Sequence, residues 1–277
     1  MGRNRQFENE LQATFYKSED KYYSENDTIS VTKLPFDLYI ACREGEFSLS
    51  VKGNYYTVGK DEVCLIPSDT EYMLNITKDS ELVYVAASLY AYVNLKIFSL
   101  FDLSYVFKGE SGRKICRYCD NICRLSKELE FTTFTVEYSM EIHTDVTNIF
   151  NITIQESVQK AEKFEVIESY KKMADIFEYV DKYTYKIIRQ KELSDIANMY
   201  PDTFYRSFKQ LTGMAPKDFI ISEKLNVARQ YLALSNMTIH DISAMVGYED
   251  QFYFSALFRK RFKMSPSKYK GETVRLI

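Results

Sequence analysis

Two stretches near the C-terminus repeat each other, and this repeat restricts the possible folds more than any other feature of the chain. The first copy runs through Leu193 and Ser194, then Phe204, Phe208 and Lys209, then Gly213, Ala215 and Pro216, and ends at Phe219. The second runs through Ile242 and Ser243, then Phe254, Phe258 and Arg259, then Lys263, Ser265 and Pro266, and ends at Tyr269. From Phe204 onward the offset is 50 residues, whereas the Leu193/Ile242 pair is offset by 49. The turn of the second copy is therefore one residue longer. Each copy predicts a unit of short helices.

Each position has a physical task. The Leu193/Ser194 and Ile242/Ser243 pairs set an apolar anchor beside a small residue, which lets two helices cross closely. Asn198 and Gly247 tolerate the left-handed backbone that a tight turn needs. Phe204 and Phe208 lie four apart and bury one helix face, as do Phe254 and Phe258. The opposite face is left free to lie in a DNA major groove. Gly213 suits a helix C-terminus, and Pro216 and Pro266 suit the first turn of the next helix. Between the copies, Pro216 to Leu234 reads as one helix with Phe219, Ile220, Leu225, Ala228 and Leu232 as its apolar stripe. Such a rod would hold two recognition helices about one DNA turn, roughly 34 Å, apart.

Charge divides at the same place. The chain's net charge is −3, but residues before Lys171 carry 18 Lys/Arg against 27 Asp/Glu, whereas the tail from Lys171 carries 18 against 12. An acidic front joined to a basic tail suggests a sensing or assembly domain coupled to a nucleic-acid domain.

From about Lys171 to Lys270 the tail resembles the AraC/XylS family of transcription regulators. The second copy carries most of the likeness: Gly247-Tyr248, Tyr253-Phe254, Phe258-Arg259-Lys260 and Ser265-Pro266. The resemblance implies double-stranded promoter DNA and RNA polymerase as partners, with activation as the expected sign. It implies DNA contacts from Asp202, Thr203, Tyr205, Arg206 and Lys209 in the first unit. In the second it implies Asp250, Gln251, Tyr253, Ser255, Arg259 and Lys260. Bidentate geometry makes Arg206 a guanine reader and Gln251 an adenine reader. Lys209, Arg259 and Lys260 suit phosphates. The chain departs from the family pattern at Lys263, where Gly is usual, and at Tyr200, where a polar cap is usual. It departs also at Ala256, often a polar contact, and at Lys224, usually Arg.

The front part reads as strands. Glu46 to Val51 alternates, Lys52 to Asn54 turns, and Tyr55 to Val58 resumes; Val63 to Ile66 and Leu82 to Ala86 are short apolar runs. Gly45 to Tyr72 resembles the family's cupin-like sensing domain, which implies a small barrel able to take a small-molecule or protein effector. Tyr39, Tyr55, Tyr56 and Tyr84 are candidates for a pocket lining, against the plainer reading of core packing. Lys114 to Leu129 and Val136 to Phe150 read as helices and as a candidate homodimer contact. Asn151 to Lys163 is polar and reads as a linker.

Cys116, Cys119 and Cys123 could hold zinc or form a redox pair, but their spacing also marks one helix face, and buried helix cysteines are preferred. A cupin-class enzyme with an accessory DNA-binding tail is the alternative function. It lacks ligands, because only His143 and His240 are present, and Tyr72 stands where relatives often place a histidine. No catalytic residue, metal or cofactor is expected. No apolar run is long enough for a membrane span, and the N-terminus does not read as a signal peptide, so a cytoplasmic protein is expected.

The expected architecture is α+β. A cupin-like domain occupies residues 1–160, with its barrel at about 20–90 and helices at about 91–155. An all-α domain of two helix-turn-helix units joined by a long helix occupies 161–277.

Overall fold

The alternation at Glu46–Val51 and its resumption at Tyr55 form an antiparallel hairpin. The computed structural model describes residues 11–31, 33–91, 95–131, 136–160 and 163–273. It places the hairpin in β3 (Asp37–Val51) and β4 (Asn54–Gly59), with Val51 opposite Asn54. The loop between them is two residues, Lys52 and Gly53, both at positive φ (48° and 78°). That is the backbone a tight hairpin needs to match the twist of its strands.

The sheet runs β1 (Leu11–Tyr23), β6 (Tyr72–Ala91), β3, β5 (Val63–Ile66), β9 (Val106–Phe107). β2 (Thr28–Val31) and β7 (Leu95–Lys96) pair with β6, and β4 pairs with β3. Leu38–Cys42, Val63–Ile66 and Leu82–Ser88 are buried on both faces, so the centre of the sheet is covered on both sides. Helices Gly109–Phe131 and Val136–Gln155 supply one cover. Tyr39 turns to that side: its hydroxyl lies 2.8 Å from Thr153 Oγ1 and its ring 6.2 Å from Phe150. Ile40 is paired with Tyr84 and with Cys64, which places those three on the other face, where the Tyr84 hydroxyl donates to Tyr23.

Arg43 fastens the helix pair to the sheet. Its Nη1 reaches Asp20 of β1 at 3.1 Å and Glu81 of β6 at 2.7 Å, while Nε reaches Asp120 of the first helix at 2.5 Å. These carboxylates outweigh burial and hold the guanidinium pKa above its usual range.

Two boundaries differ from the sequence reading. The helices expected from about residue 91 begin at Gly109; β7, a short 3₁₀ turn (Ile97–Leu100), β8 (Phe101–Asp102) and β9 come first. The polar stretch expected as a linker instead extends the second helix to Gln155, and β10 (Val158–Gln159) then pairs with β8. Polarity misleads here because Thr153 is buried with its hydroxyl satisfied, donating to Ile149 O at 2.9 Å. The chain divides into two compact units, one built from Gln12–Leu89 and Lys96–Lys160, the other chiefly from the tail after Lys160.

The described part of the tail is built of helices: Lys163–Lys172, Ala174–Lys182, Gln190–Ile196, Pro201–Thr212, Pro216–Leu234, Ile239–Met245, Gln251–Phe262 and Pro266–Thr273. Phe177, Val180, Leu193, Phe204, Phe208 and Phe219 share one core. No helix among the described residues is long and apolar enough to cross a membrane.

Candidate nucleic-acid interface

The repeat reappears as geometry. Gln190–Ile196 and Ile239–Met245 are offset by 49 residues; Pro201–Thr212 and Gln251–Phe262 are offset by 50. The extra residue falls in the second turn. Both turns hold a left-handed residue at the same place, Asn198 at φ 50° and Gly247 at φ 78°. Both are closed by the same bond, Met199 N to Ser194 O at 3.0 Å and Tyr248 N to Ser243 O at 2.9 Å. Ser194 and Ser243 are buried, and their hydroxyls bond backward to Lys191 O and His240 O. This satisfies a polar group where two helices cross closely.

The four phenylalanine anchors, Phe204, Phe208, Phe254 and Phe258, are each 0% exposed. Each recognition helix therefore turns its other face outward. On the first, Asp202, Thr203, Tyr205, Arg206 and Lys209 are exposed, with Lys209 Nζ 6.0 Å from the Tyr205 ring. On the second, Tyr253, Arg259 and Lys260 are exposed, while Gln251 and Ser255 are half-buried. Asp250 is exposed, but its Oδ1 accepts from Phe252 N at 2.7 Å and Tyr253 N at 3.2 Å, so it caps the helix. Sequence reasoning placed Asp250 among the DNA contacts and did not assign it this cap. The first recognition helix has no such cap: Tyr200 holds the N-cap position without a side-chain bond, and Pro201 follows at the first turn.

The linker helix buries Phe219, Ile220, Leu225, Ala228 and Leu232, the stripe read from sequence, and also Lys224 and Arg229, which were not. Lys224 Nζ donates to Val246 O at 3.0 Å and sits 5.4 Å from the Tyr248 ring. Burial holds its ammonium below the usual lysine range. Arg229 lies 4.7 Å from the Phe262 ring. Two cations on one helix thus grip the turn and the recognition helix of the second unit through aromatic rings.

Two exposed aromatics were also missed: Tyr200 and Phe252, each 86% exposed. Phe252 was legible in principle. Two residues along a helix is about 200° of rotation, so Phe252 must face away from buried Phe254.

A helix-turn-helix domain model matches residues 193–272, spanning both units. The tail is an AraC/XylS-type helix-turn-helix domain. Among relatives, the lactose operon transcription activator of Staphylococcus xylosus is 24% identical over 230 residues, covering 82% of this chain and 81% of the relative. The bifunctional transcriptional activator/DNA repair enzyme AdaA of Bacillus subtilis is 30% identical over 95 residues, 34% of this chain and 45% of AdaA. The chain thus spans under half of one relative and most of another. Among solved structures, ToxT of Vibrio cholerae O395 bound to (E)-4-(8-methylnaphthalen-1-yl)but-3-enoic acid superposes with a TM-score of 0.55 at 13% identity. The superposition covers 94% of this chain and all of ToxT, so the two chains share a fold.

The front unit does not gather the four tyrosines named from sequence. Tyr39 and Tyr84 lie on opposite faces of the sheet, Tyr55 is exposed, and Tyr56 packs 6.0 Å from Tyr105. A cavity of about 360 Å³ opens elsewhere, lined by Asp37, Lys52, Ser68, Lys96, Tyr105 and Lys160 among others. Lys96 Nζ donates to Asp69 at 2.7 Å and to Ser68 Oγ at 2.9 Å. Asp37 accepts from Ser68 N at 2.8 Å, and burial pushes its carboxyl up to about 6.

Cys116, Cys119 and Cys123 are buried in the first helix, and burial pushes the Cys116 thiol up to about 12 and the other two upward as well. Thiols so placed are poor nucleophiles and poor metal ligands at neutral pH. His143 and His240 are both exposed on separate helices. Among the described residues no group of three or more His, Cys, Asp or Glu could hold a metal ion.

Proposed function

We propose that this chain is a sequence-specific DNA-binding transcription regulator, an activator, whose front unit senses a signal. One observation carries the reading: two helix-turn-helix units of matching geometry bury their aromatic anchors and expose Arg206 and Lys209 on one, Arg259 and Lys260 on the other. Arg206 reads guanine, and Gln251, half-buried at the helix start, reads adenine. Lys209, Arg259 and Lys260 hold phosphates. Thr203, Tyr205, Tyr253 and Ser255 line the remaining contact, while the cap made by Asp250 orients the second helix.

The protein works in the cytoplasm on promoter sites beside RNA polymerase. A homodimer through helix Gly109–Phe131 would double the DNA contacts. It has no catalytic activity of its own. The effector of the front unit is a small molecule. The ToxT structure holds a small organic acid, and the lysine-lined cavity of about 360 Å³ is the place in this chain for a polar ligand of that size.

A gel shift of the full chain with its own upstream regions tests this. Binding should weaken steeply as salt rises, because phosphate contacts release counterions. Equal affinity for random duplex at physiological salt contradicts it. Arg206→Ala should lose about 1–3 kcal/mol of discrimination at one base pair. Thermal shifts of the protein with organic acids, against pull-down of partner proteins, separate small-molecule from protein sensing.

A further inference from the structure

The two recognition helices share a fold but not a chemistry, and this difference has a consequence for base reading. The outward stripe of the first helix, at positions four and three apart, is Asp202, Arg206 and Lys209. Fifty residues on, the same stripe is Phe252, Ala256 and Arg259. Phe252 is 86% exposed and Ala256 is exposed one turn further along. With exposed Tyr253 beside them, these residues form an apolar patch on the helix, and such patches mark interaction sites.

Charge selects what covers it. Arg259 lies on the same stripe and Lys260 beside it, and both are exposed. They draw a phosphate backbone toward this face, so the apolar half of the stripe meets base edges. Asp250, beside Phe252, is oriented by its cap, with Oδ1 accepting from Phe252 N and Tyr253 N. In the major groove only thymine offers an apolar group, its C5-methyl, and Phe and Ala are suited to it.

Resting on the regulator reading above, we infer that the second unit selects thymine methyl groups through Phe252 and Ala256, whereas the first selects bases by hydrogen bonding through Arg206. Beside the hydrogen-bonding Gln251, the second half-site is then read through an apolar contact that the first lacks. The second half-site is thymine-rich at the positions under Phe252, and this preference is insensitive to base-pair hydrogen-bonding groups.

A duplex selected by the full-length protein from a randomised pool supplies the probe. Each thymine is replaced in turn by deoxyuracil, which removes only the methyl. Wild type should bind about three- to fivefold more weakly at one or two positions, the effect of one lost buried methyl. Phe252→Ala should bind the parent duplex more weakly by a similar factor and lose its response to deoxyuracil. Phe252 is exposed, so this variant should keep the parent's melting temperature and far-ultraviolet circular dichroism. Salt-sensitive, sequence-selective binding that ignores every deoxyuracil overturns the methyl inference and leaves the regulator reading standing. No selective binding by wild type overturns both. Unchanged DNA binding by Phe252→Ala with reduced transcription in a purified polymerase system also overturns it, and assigns the ring to a protein partner.

Discussion

The two helix-turn-helix units were built from one pattern but are held by different means. In the first, the turn is made by Asn198, the recognition helix starts at an uncapped Tyr200, and Gly213 ends it in the left-handed region. In the second, the turn is made by Gly247, Asp250 caps the helix, and Lys263 must take the left-handed backbone at φ 62°. Each unit is well made where the other is compromised. A repeat preserves the geometry a position must adopt, and the residue meeting that demand can vary within its energetic cost.

The turn offers the sharpest contrast. A Cβ at Gly247 would collide with the Tyr185 carbonyl and lie 2.8 Å from Lys224 Nζ, at a φ of 78°. Gly247→Ala should destabilise the tail by on the order of 3 kcal/mol, from left-handed strain plus overpacking. Asn198→Ala should cost only about 1 kcal/mol, because a side chain already fits there. Urea denaturation of the two variants decides this, and equal losses would mean that the turns are equivalent after all.

Caps come next. Asp250→Ala removes two bonds to backbone N–H groups and should cost about 1 kcal/mol. Tyr200→Asp supplies the missing cap to the first unit and should gain up to about 1 kcal/mol. Melting temperatures of the pair should move in opposite directions. A loss in both would show that the first helix does not want a cap.

The smallest effect lies at the helix ends. Lys263→Gly should stabilise by roughly 0.5–1 kcal/mol by relieving the left-handed lysine. Lys263 is exposed, so the gain should appear in the denaturation midpoint without a change in slope. No gain would mean that the lysine makes a compensating interaction.

The tail was legible because its signals are local. Phenylalanines four apart, a turn residue and a proline suffice to place a helix and its buried face. The hairpin at Lys52-Gly53 was legible for the same reason. What escaped was what depends on a partner distant in sequence. Nothing local marks Lys224 and Arg229 as buried, yet the charged head of each lies against an aromatic ring of the second unit. The pairing of Tyr39 with Val85, and of Tyr84 with Ile40, sets those two tyrosines on opposite faces. A single step of register decides that, and only the paired strands reveal it. Thr153 looked like linker because its partner, Tyr39, is far away in the chain.

The central claim is that both units engage one duplex together, and changing the spacing between their half-sites tests it most directly. On a selected duplex, inserting about five base pairs between the half-sites turns them to opposite faces, while about ten restores the facing at greater distance. If the rod-like linker helix holds both units on one DNA face, the half-turn insertion should lower affinity by at least tenfold. Affinity that is unchanged by the half-turn insertion would contradict the claim, leaving a protein that grips DNA with one unit alone.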